Sequence, residues 1–194
     1  MRRATVLLAA VAVAAFLVIG LTQAANNQPK QGAAPRFDLA QAQRKLAAAP
    51  PPLNGLYAQA NQLLGGGRKA FDQRLAQLKG HPVVINKWAS WCVPCRAEFP
   101  MLENAAAKRG TTVAFVGVNG TDKRPAALKF LKQRPLPYPS YEDPHESIAR
   151  SIEAPANYPI TVFVDRRGRT AFIHPGSFRS EAELNAEIDR YLKP

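Results

Sequence analysis

Cysteine is scarce in this chain, with two among 194 residues, and histidine is nearly as scarce, with three. A zinc site needs about four ligands. Three scattered histidines, His81, His145 and His174, and one cysteine pair do not supply them, so no metal centre is expected. Acidic residues are outnumbered, 14 against 26 basic, for a net charge of +12. Yet no basic run exceeds two residues, and aromatic residues do not interleave with the basic ones. The chain therefore lacks the marks of a nucleic-acid surface. The excess charge reads as a face toward anionic lipid, cell wall or an acidic partner, or as a solvated surface with no partner. No internal repeat, heptad array or cofactor motif is present.

The two cysteines stand together in Trp91-Cys92-Val93-Pro94-Cys95-Arg96. An apolar run, Val83 to Ile85, lies just upstream, and a helical pattern follows from Cys95. Two thiols separated by two residues between a strand and a helix make a reversible dithiol/disulfide couple. The unsatisfied N–H groups and dipole of a helix N-terminus stabilise a thiolate on Cys92. A thiolate is the species that attacks another disulfide. A purely structural disulfide is the competing reading, but so short a loop gains little from a cross-link.

The N-terminus reads Met1-Arg2-Arg3 and then runs apolar from Ala4 to Leu21. At about 1.5 Å per residue a helix of that length nearly spans a bilayer core. Arg2 and Arg3 favour the cytoplasmic side and send the rest outward. The segment 1–24 is a signal-anchor or a signal peptide. A cleavage site after Ala24, with Thr22 at the minus-three position, matches the small-x-small pattern poorly, so an uncleaved anchor is the expectation. Either way the cysteine pair works outside the cytoplasm.

Residues 25–68 read as a linker with short helices. Asn26 to Pro35 is polar, Phe37 to Ala49 has helical spacing stopped by Pro50-Pro51-Pro52, and Leu56 to Leu64 suggests a second helix stopped by Gly65-Gly66-Gly67. A regular domain is expected over 69–194. Ala70 to Leu78 has helical spacing, Val83-Val84-Ile85 reads as a buried strand, and Cys95 to Lys108 as a helix ending on cations and the C-cap glycine Gly110. Val113 to Val118 is a strand, and Pro125 to Gln133 a helix with proline in its first turn. Ile148 to Ile152 suggests a short helix. Ile160 to Val164 and Thr170 to Ile173 form a hairpin across Asp165-Arg166-Arg167-Gly168-Arg169. Ser180 and Glu183 make a capping box for a last helix that buries Leu184, Ile188 and Leu192.

This order, with Cys-x-x-Cys opening the first main helix, resembles the thioredoxin fold, an α/β fold with a central mixed sheet flanked by helices. Trp91 precedes the pair, Pro100 stands five residues after Cys95, and Tyr158-Pro159 before Ile160 resembles the family's cis-proline site. The stretch Val84-Ile85-Asn86-Lys87-Trp88-Ala89-Ser90-Trp91-Cys92-Val93-Pro94-Cys95-Arg96-Ala97-Glu98-Phe99-Pro100 is similar to the TlpA/ResA branch of extracytoplasmic thiol-disulfide oxidoreductases, DsbE/CcmG relatives included. That branch has Asn where thioredoxins place a buried Asp, here Asn86, and a Glu three residues after the second cysteine, here Glu98. Val116 to Asn119, the helix after it and Tyr138 to Asp143 resemble the branch's inserted strand and helix. The chain departs from the branch at Lys87, often aromatic there, and at Tyr158, often Thr or Val. Residues 25–68 have no counterpart in the pattern.

The resemblance implies Cys92 as the nucleophile and Cys95 as the resolving thiol. Val93 and Pro94 tune the redox poise. Proline brings no N–H to the Cys92 thiolate, which favours the disulfide and a reducing protein. Glu98 shares a helix face with Cys95, where a partly buried carboxyl relays protons; an exposed helix-terminus charge is the plainer reading. Trp91, Tyr158 and a cis Pro159 would meet the substrate, with the Tyr158 backbone pairing to an extended segment. Trp88 belongs to the core, and the histidines to surface or loops.

The function implied is reduction of protein disulfides outside the cytoplasm, including the cysteine pair of apocytochrome c before haem attachment. No cofactor is implied, so electrons come from an upstream thiol reductant. The alternatives are an oxidant or isomerase for secreted proteins, and a membrane-tethered binding module for apocytochrome or haem. A peroxidase is conceivable on this fold, but the lone cysteine in a Thr/Pro-rich loop that it would carry is not found.

Overall fold

The computed structural model describes residues 37–192. The apolar segment Ala4 to Leu21 and the first part of the expected linker lie outside the described residues. Helices α1 (Leu39–Leu46) and α2 (Leu53–Tyr57) come first. Then follow β1 (Leu63–Leu64), α3 (Gly67–Gln77), β2 (Val83–Trp88), α4 (Val93–Arg109), β3 (Ala114–Gly120) and α5 (Arg124–Gln133). The chain closes with β4 (Ser140–Asp143), α6 (Ser147–Ser151), β5 (Ile160–Val164), β6 (Thr170–Pro175) and α7 (Glu181–Tyr191).

The strands form one six-stranded sheet in the order β1-β4-β3-β2-β5-β6. β1, β4, β3 and β2 run parallel, while β5 is antiparallel to β2 and to β6. This is the mixed sheet flanked by helices that the thioredoxin-like resemblance implies. Every residue of β2 and β3 is buried. Central strands covered on both faces carry continuous apolar runs, which is why Val83-Val84-Ile85 announces itself. Side chains alternate along a strand. One face of β2 carries Asn86 and Trp88 toward α4, where Trp88 packs edge-on to Phe99. The other carries Lys87 toward the start of α6. On that second face Phe71 of α3 meets Tyr141 of β4.

The expected helix over Leu56 to Leu64 is not formed. The chain leaves α2 after Tyr57, and Leu63 and Leu64 pair with Ser140 and Tyr141 instead. Two residues show no period, so only the tertiary partner defines this strand. The segment ahead of α3 also packs into the core. Leu46, Leu53, Leu56 and Tyr57 are buried in it. The Tyr57 hydroxyl donates to the Val113 carbonyl at 2.7 Å and accepts from the Phe115 amide at 3.2 Å, which fastens α2 to the start of β3. The Pro51–Pro52 bond between α1 and α2 is cis.

Two helix ends differ from expectation in detail. Gly110 follows α4 with φ of −62°, in the right-handed region, so a left-handed cap is not its reason. A Cβ there would sit 2.5 Å from Leu46 Cδ2 and 2.9 Å from the Tyr57 hydroxyl oxygen. Only glycine lets α1 and α2 close against the end of α4. At α7, Ser180 accepts from the Glu183 amide at 3.2 Å. The Glu183 carboxylate, however, accepts from the Arg179 amide and its guanidinium rather than from Ser180. Half of the capping box is made.

Candidate active site

β2 ends at Trp88 and the chain turns through Ala89 to Trp91 before α4 begins. Asp122, in the loop between β3 and α5, holds this turn. Its carboxylate accepts from the Ser90 amide at 2.5 Å, the Ser90 hydroxyl at 2.9 Å, the Asn119 amide side chain at 2.9 Å and the Lys123 amide at 2.8 Å. Four donors on one carboxylate fix the approach to the cysteines. Sequence reading missed Asp122; an Asn-x-x-Asp spacing after a strand is its only local signal.

Cys92 is the N-cap of α4 and is joined to Cys95 by a disulfide, with Cα atoms 5.3 Å apart. Cys92 Sγ accepts from the Cys95 amide at 3.1 Å. In the reduced protein the same donor and the helix dipole favour negative charge on this sulfur. Pro94 leaves one fewer N–H in this first turn. Cys92 is 3% exposed, less than its place at a helix start implies, yet it lines a surface groove of about 690 Å³. Cys95 is 0% exposed and does not line it. One sulfur therefore borders the groove and the other is enclosed behind it.

Trp91, Val93, Pro94 and Tyr158 also line the groove. Trp91 and Val93 are well exposed, and the Trp91 ring meets Tyr158 edge-on at 5.1 Å between centroids. The Tyr158–Pro159 bond is cis. The structure thus brings Cys92, Trp91, Val93, Pro94 and Tyr158 together, with Pro159 next in the chain.

Glu98 lies elsewhere, one turn further along α4 and fully buried. It is not an exposed helix-terminus charge. Asn86 donates to its Oε1 at 2.8 Å and to Thr161 Oγ1 at 3.4 Å. Burial raises the Glu98 pKa to about 8, against the opposing pull of Asn86 and of the Phe178 backbone amide. A carboxyl that exchanges its proton near neutral pH so close to Cys95 is suited to proton transfer.

A second buried acid, Glu103, escaped the sequence reading. It is 3% exposed, and burial raises its pKa to about 7 against the field of Arg134. It falls four residues after Phe99, on the buried stripe of α4, and that register was its signal. His174 also differs from expectation. It is partly buried, pairs with Glu187 at 3.0 Å and stacks on Phe178 at 4.1 Å between ring centroids.

The Redoxin family model matches residues 57–188. The chain belongs to this family. It is 36% identical over 103 residues to the thiol:disulfide interchange protein DsbE of Pseudomonas fluorescens, covering 53% of this chain and 54% of that one. It is 31% identical to the thioredoxin-like protein YneN of Bacillus subtilis, covering 59% of this chain and 69% of that one. Among solved structures it is similar to a secreted disulfide oxidoreductase of Mycobacterium tuberculosis homologous to E. coli DsbE. That match has a TM-score of 0.53 and 28% identity, over 59% of this chain and 85% of that one. The chain spans about half the length of the Pseudomonas fluorescens DsbE. Among the described residues of this redoxin, no helix is long and apolar enough to cross a membrane.

Proposed function

We propose that this redoxin is an extracytoplasmic thiol-disulfide oxidoreductase that reduces protein disulfides. The placement of the two sulfurs carries the reading: Cys92 faces the groove at the helix start, and Cys95 is sealed behind it. In the reduced protein the Cys92 thiolate attacks one sulfur of a substrate disulfide. A Cys92–substrate bond forms, the substrate S–S bond breaks, and the first substrate thiolate leaves and takes a proton. Cys95 then loses its proton toward the carboxylate of Glu98 and attacks the Cys92 sulfur. The Cys92–Cys95 bond forms, and the second substrate thiolate leaves and is protonated in turn. Two electrons and two protons have moved to the substrate. An upstream dithiol protein restores the reduced pair by the same exchange. The TlpA/ResA resemblance points to the cysteine pair of apocytochrome c as a substrate.

Pro94 predicts a reducing couple, nearer about −270 mV than the about −120 mV of strong oxidants. Equilibration against glutathione buffers, read by alkylation, measures it. A protein that stays reduced in strongly oxidising buffer belongs instead with the oxidants.

The place of action rests on the N-terminal segment. We infer that Ala4 to Leu21 stays attached as an anchor, with Arg2 and Arg3 inside and the polar residues after it as a tether. Tethering raises the local concentration of the cysteine pair near membrane-bound partners. Membrane fractionation with N-terminal sequencing checks this, and a soluble product beginning near Ala25 overturns the anchor but not the redox reading.

A further inference from the structure

Lys87 is the only buried lysine among the described residues. A buried ammonium is costly unless it is paired and hydrogen-bonded. Here its Nζ pairs with Glu146 Oε1 at 2.8 Å, donates to the Pro155 carbonyl at 2.8 Å, and lies 4.1 Å from the centre of the Tyr158 ring. The same Glu146 oxygen accepts from the Tyr158 hydroxyl, which also bonds Thr121 Oγ1 at 3.0 Å. The Thr121 carbonyl accepts from Trp91 Nε1 at 3.1 Å. One connected network therefore runs from a buried cation to the exposed indole beside Cys92.

The backbone is bent to serve it. Glu146 and Thr121 hold φ of 55° and 44°, in the left-handed region that non-glycine residues rarely enter, β-branched ones least of all. Such strain persists where the surroundings over-determine it, and it gathers at functional sites. Gly120 makes the room: a Cβ there would lie 2.3 Å from the Tyr158 hydroxyl oxygen.

The network sets the character of the groove. Glu146 is its only charged lining residue. Burial works against its carboxylate, but the Lys87 and Tyr158 hydrogen bonds outweigh that and hold it ionised. Lys87 cancels the charge so formed. What remains toward a substrate is an uncharged apolar surface, and two of the three exposed large apolar side chains among the described residues, Trp91 and Val93, frame it. An exposed apolar patch of this kind marks a docking site.

We propose that Lys87, Glu146 and Gly120 are positioning residues that lock the Tyr158 and Trp91 rings as one wall of the groove, and that this wall selects polypeptide disulfides carrying an aromatic side chain beside the cystine. The proposal rests on the redox reading above and names which disulfides Cys92 meets.

The test compares exchange rates of the reduced full-length protein on two kinds of disulfide. One is hydroxyethyl disulfide, which has no side chains. The other is a set of short cystine peptides with Trp, Ala, Lys or Glu beside the cysteine. The Trp peptide should show a KM about tenfold below the Ala peptide, as one aromatic contact provides, with Lys and Glu peptides no better than Ala. Gly120→Ala and Lys87→Met should raise KM for the Trp peptide about tenfold, leaving its kcat and hydroxyethyl disulfide exchange unchanged. If Lys87→Met does not fold, Gly120→Ala decides alone. Equal KM across the peptides, a preference for the Lys peptide, or variants that keep the Trp preference each overturn the proposal. A parent protein inert toward hydroxyethyl disulfide would overturn the redox reading itself.

Discussion

Cys92→Ser is expected to abolish disulfide exchange, a loss of about 10³-fold or more, because the groove then presents no nucleophile. Cys95→Ser is expected to stop the reaction half-way. Its Cys92 thiolate still attacks, but nothing stands behind it to break the mixed disulfide, so the protein gains the mass of its substrate. Both variants should fold. Closing a loop of about four residues contributes only about 2 kcal/mol in the chain-entropy account, and Cys95 sits in a core that a serine of similar size can occupy. Mass spectrometry after incubation with a peptide disulfide reads both results. The same Cys95→Ser protein, incubated with membrane and exported proteins, names the physiological partners. A Cys92→Ser protein with unchanged biological activity would mean that the domain binds and does not exchange. Mixed disulfides formed on Cys95 in that variant would reverse the assigned roles.

Glu98→Gln is expected to change two pH dependences at once. The amide keeps an oxygen for Asn86 to donate to, so the fold should survive the swap. The parent carboxyl titrates near 8, raised from 4.5 by burial. Above that pH it can take the Cys95 proton, and the variant should resolve mixed disulfides about tenfold or more slowly there. Stability follows from the sign of the shift. A folded pKa above the unfolded one means the native state holds the proton more tightly. Its contribution is fully present below pH 4.5 and is lost as pH rises through 8. At 1.36 kcal/mol per unit the whole effect is on the order of a few kcal/mol. Urea melts from pH 5 to 9 should show parent stability falling and the variant's falling less. Glu103, raised to about 7, leaves a residual slope of the same sign. Overlaid rate profiles for parent and variant would leave Glu98 as a buried structural acid only.

Much of this architecture is legible in the linear chain because its causes are local. A strand covered on both faces shows as the apolar run at Val83, terminal cations mark the end of α4, and a first-turn proline marks the start of α5. The cysteine pair, its flanking residues and Glu98 sit within one short stretch, so their grouping needs no fold. What stays hidden depends on distant partners. Lys87 stands in a strand where a charge argues for exposure, and only Glu146 and Pro155, brought in by the turn of α6, make burial tolerable. Tyr158 gives no hint that it needs Gly120. β1 is too short to carry a period, and Gly110 imitates a C-cap while serving close packing. The departures from the TlpA/ResA pattern at Lys87 and Tyr158 look independent in the sequence and are neighbours in space.

The borders of the sheet have a consequence for the proposed reduction of polypeptide disulfides. An open edge strand is a template for any unfolded segment and a route to aggregation. Here one border is β1, only two residues long. The other is β6, which carries a register irregularity opposite Phe163 and Val164 and ends on Pro175. Neither offers a long, regular ladder of free amides and carbonyls. A client polypeptide drawn to this molecule finds little to zip onto at its flanks, and the apolar slot beside Cys92 is left as the place where it can settle.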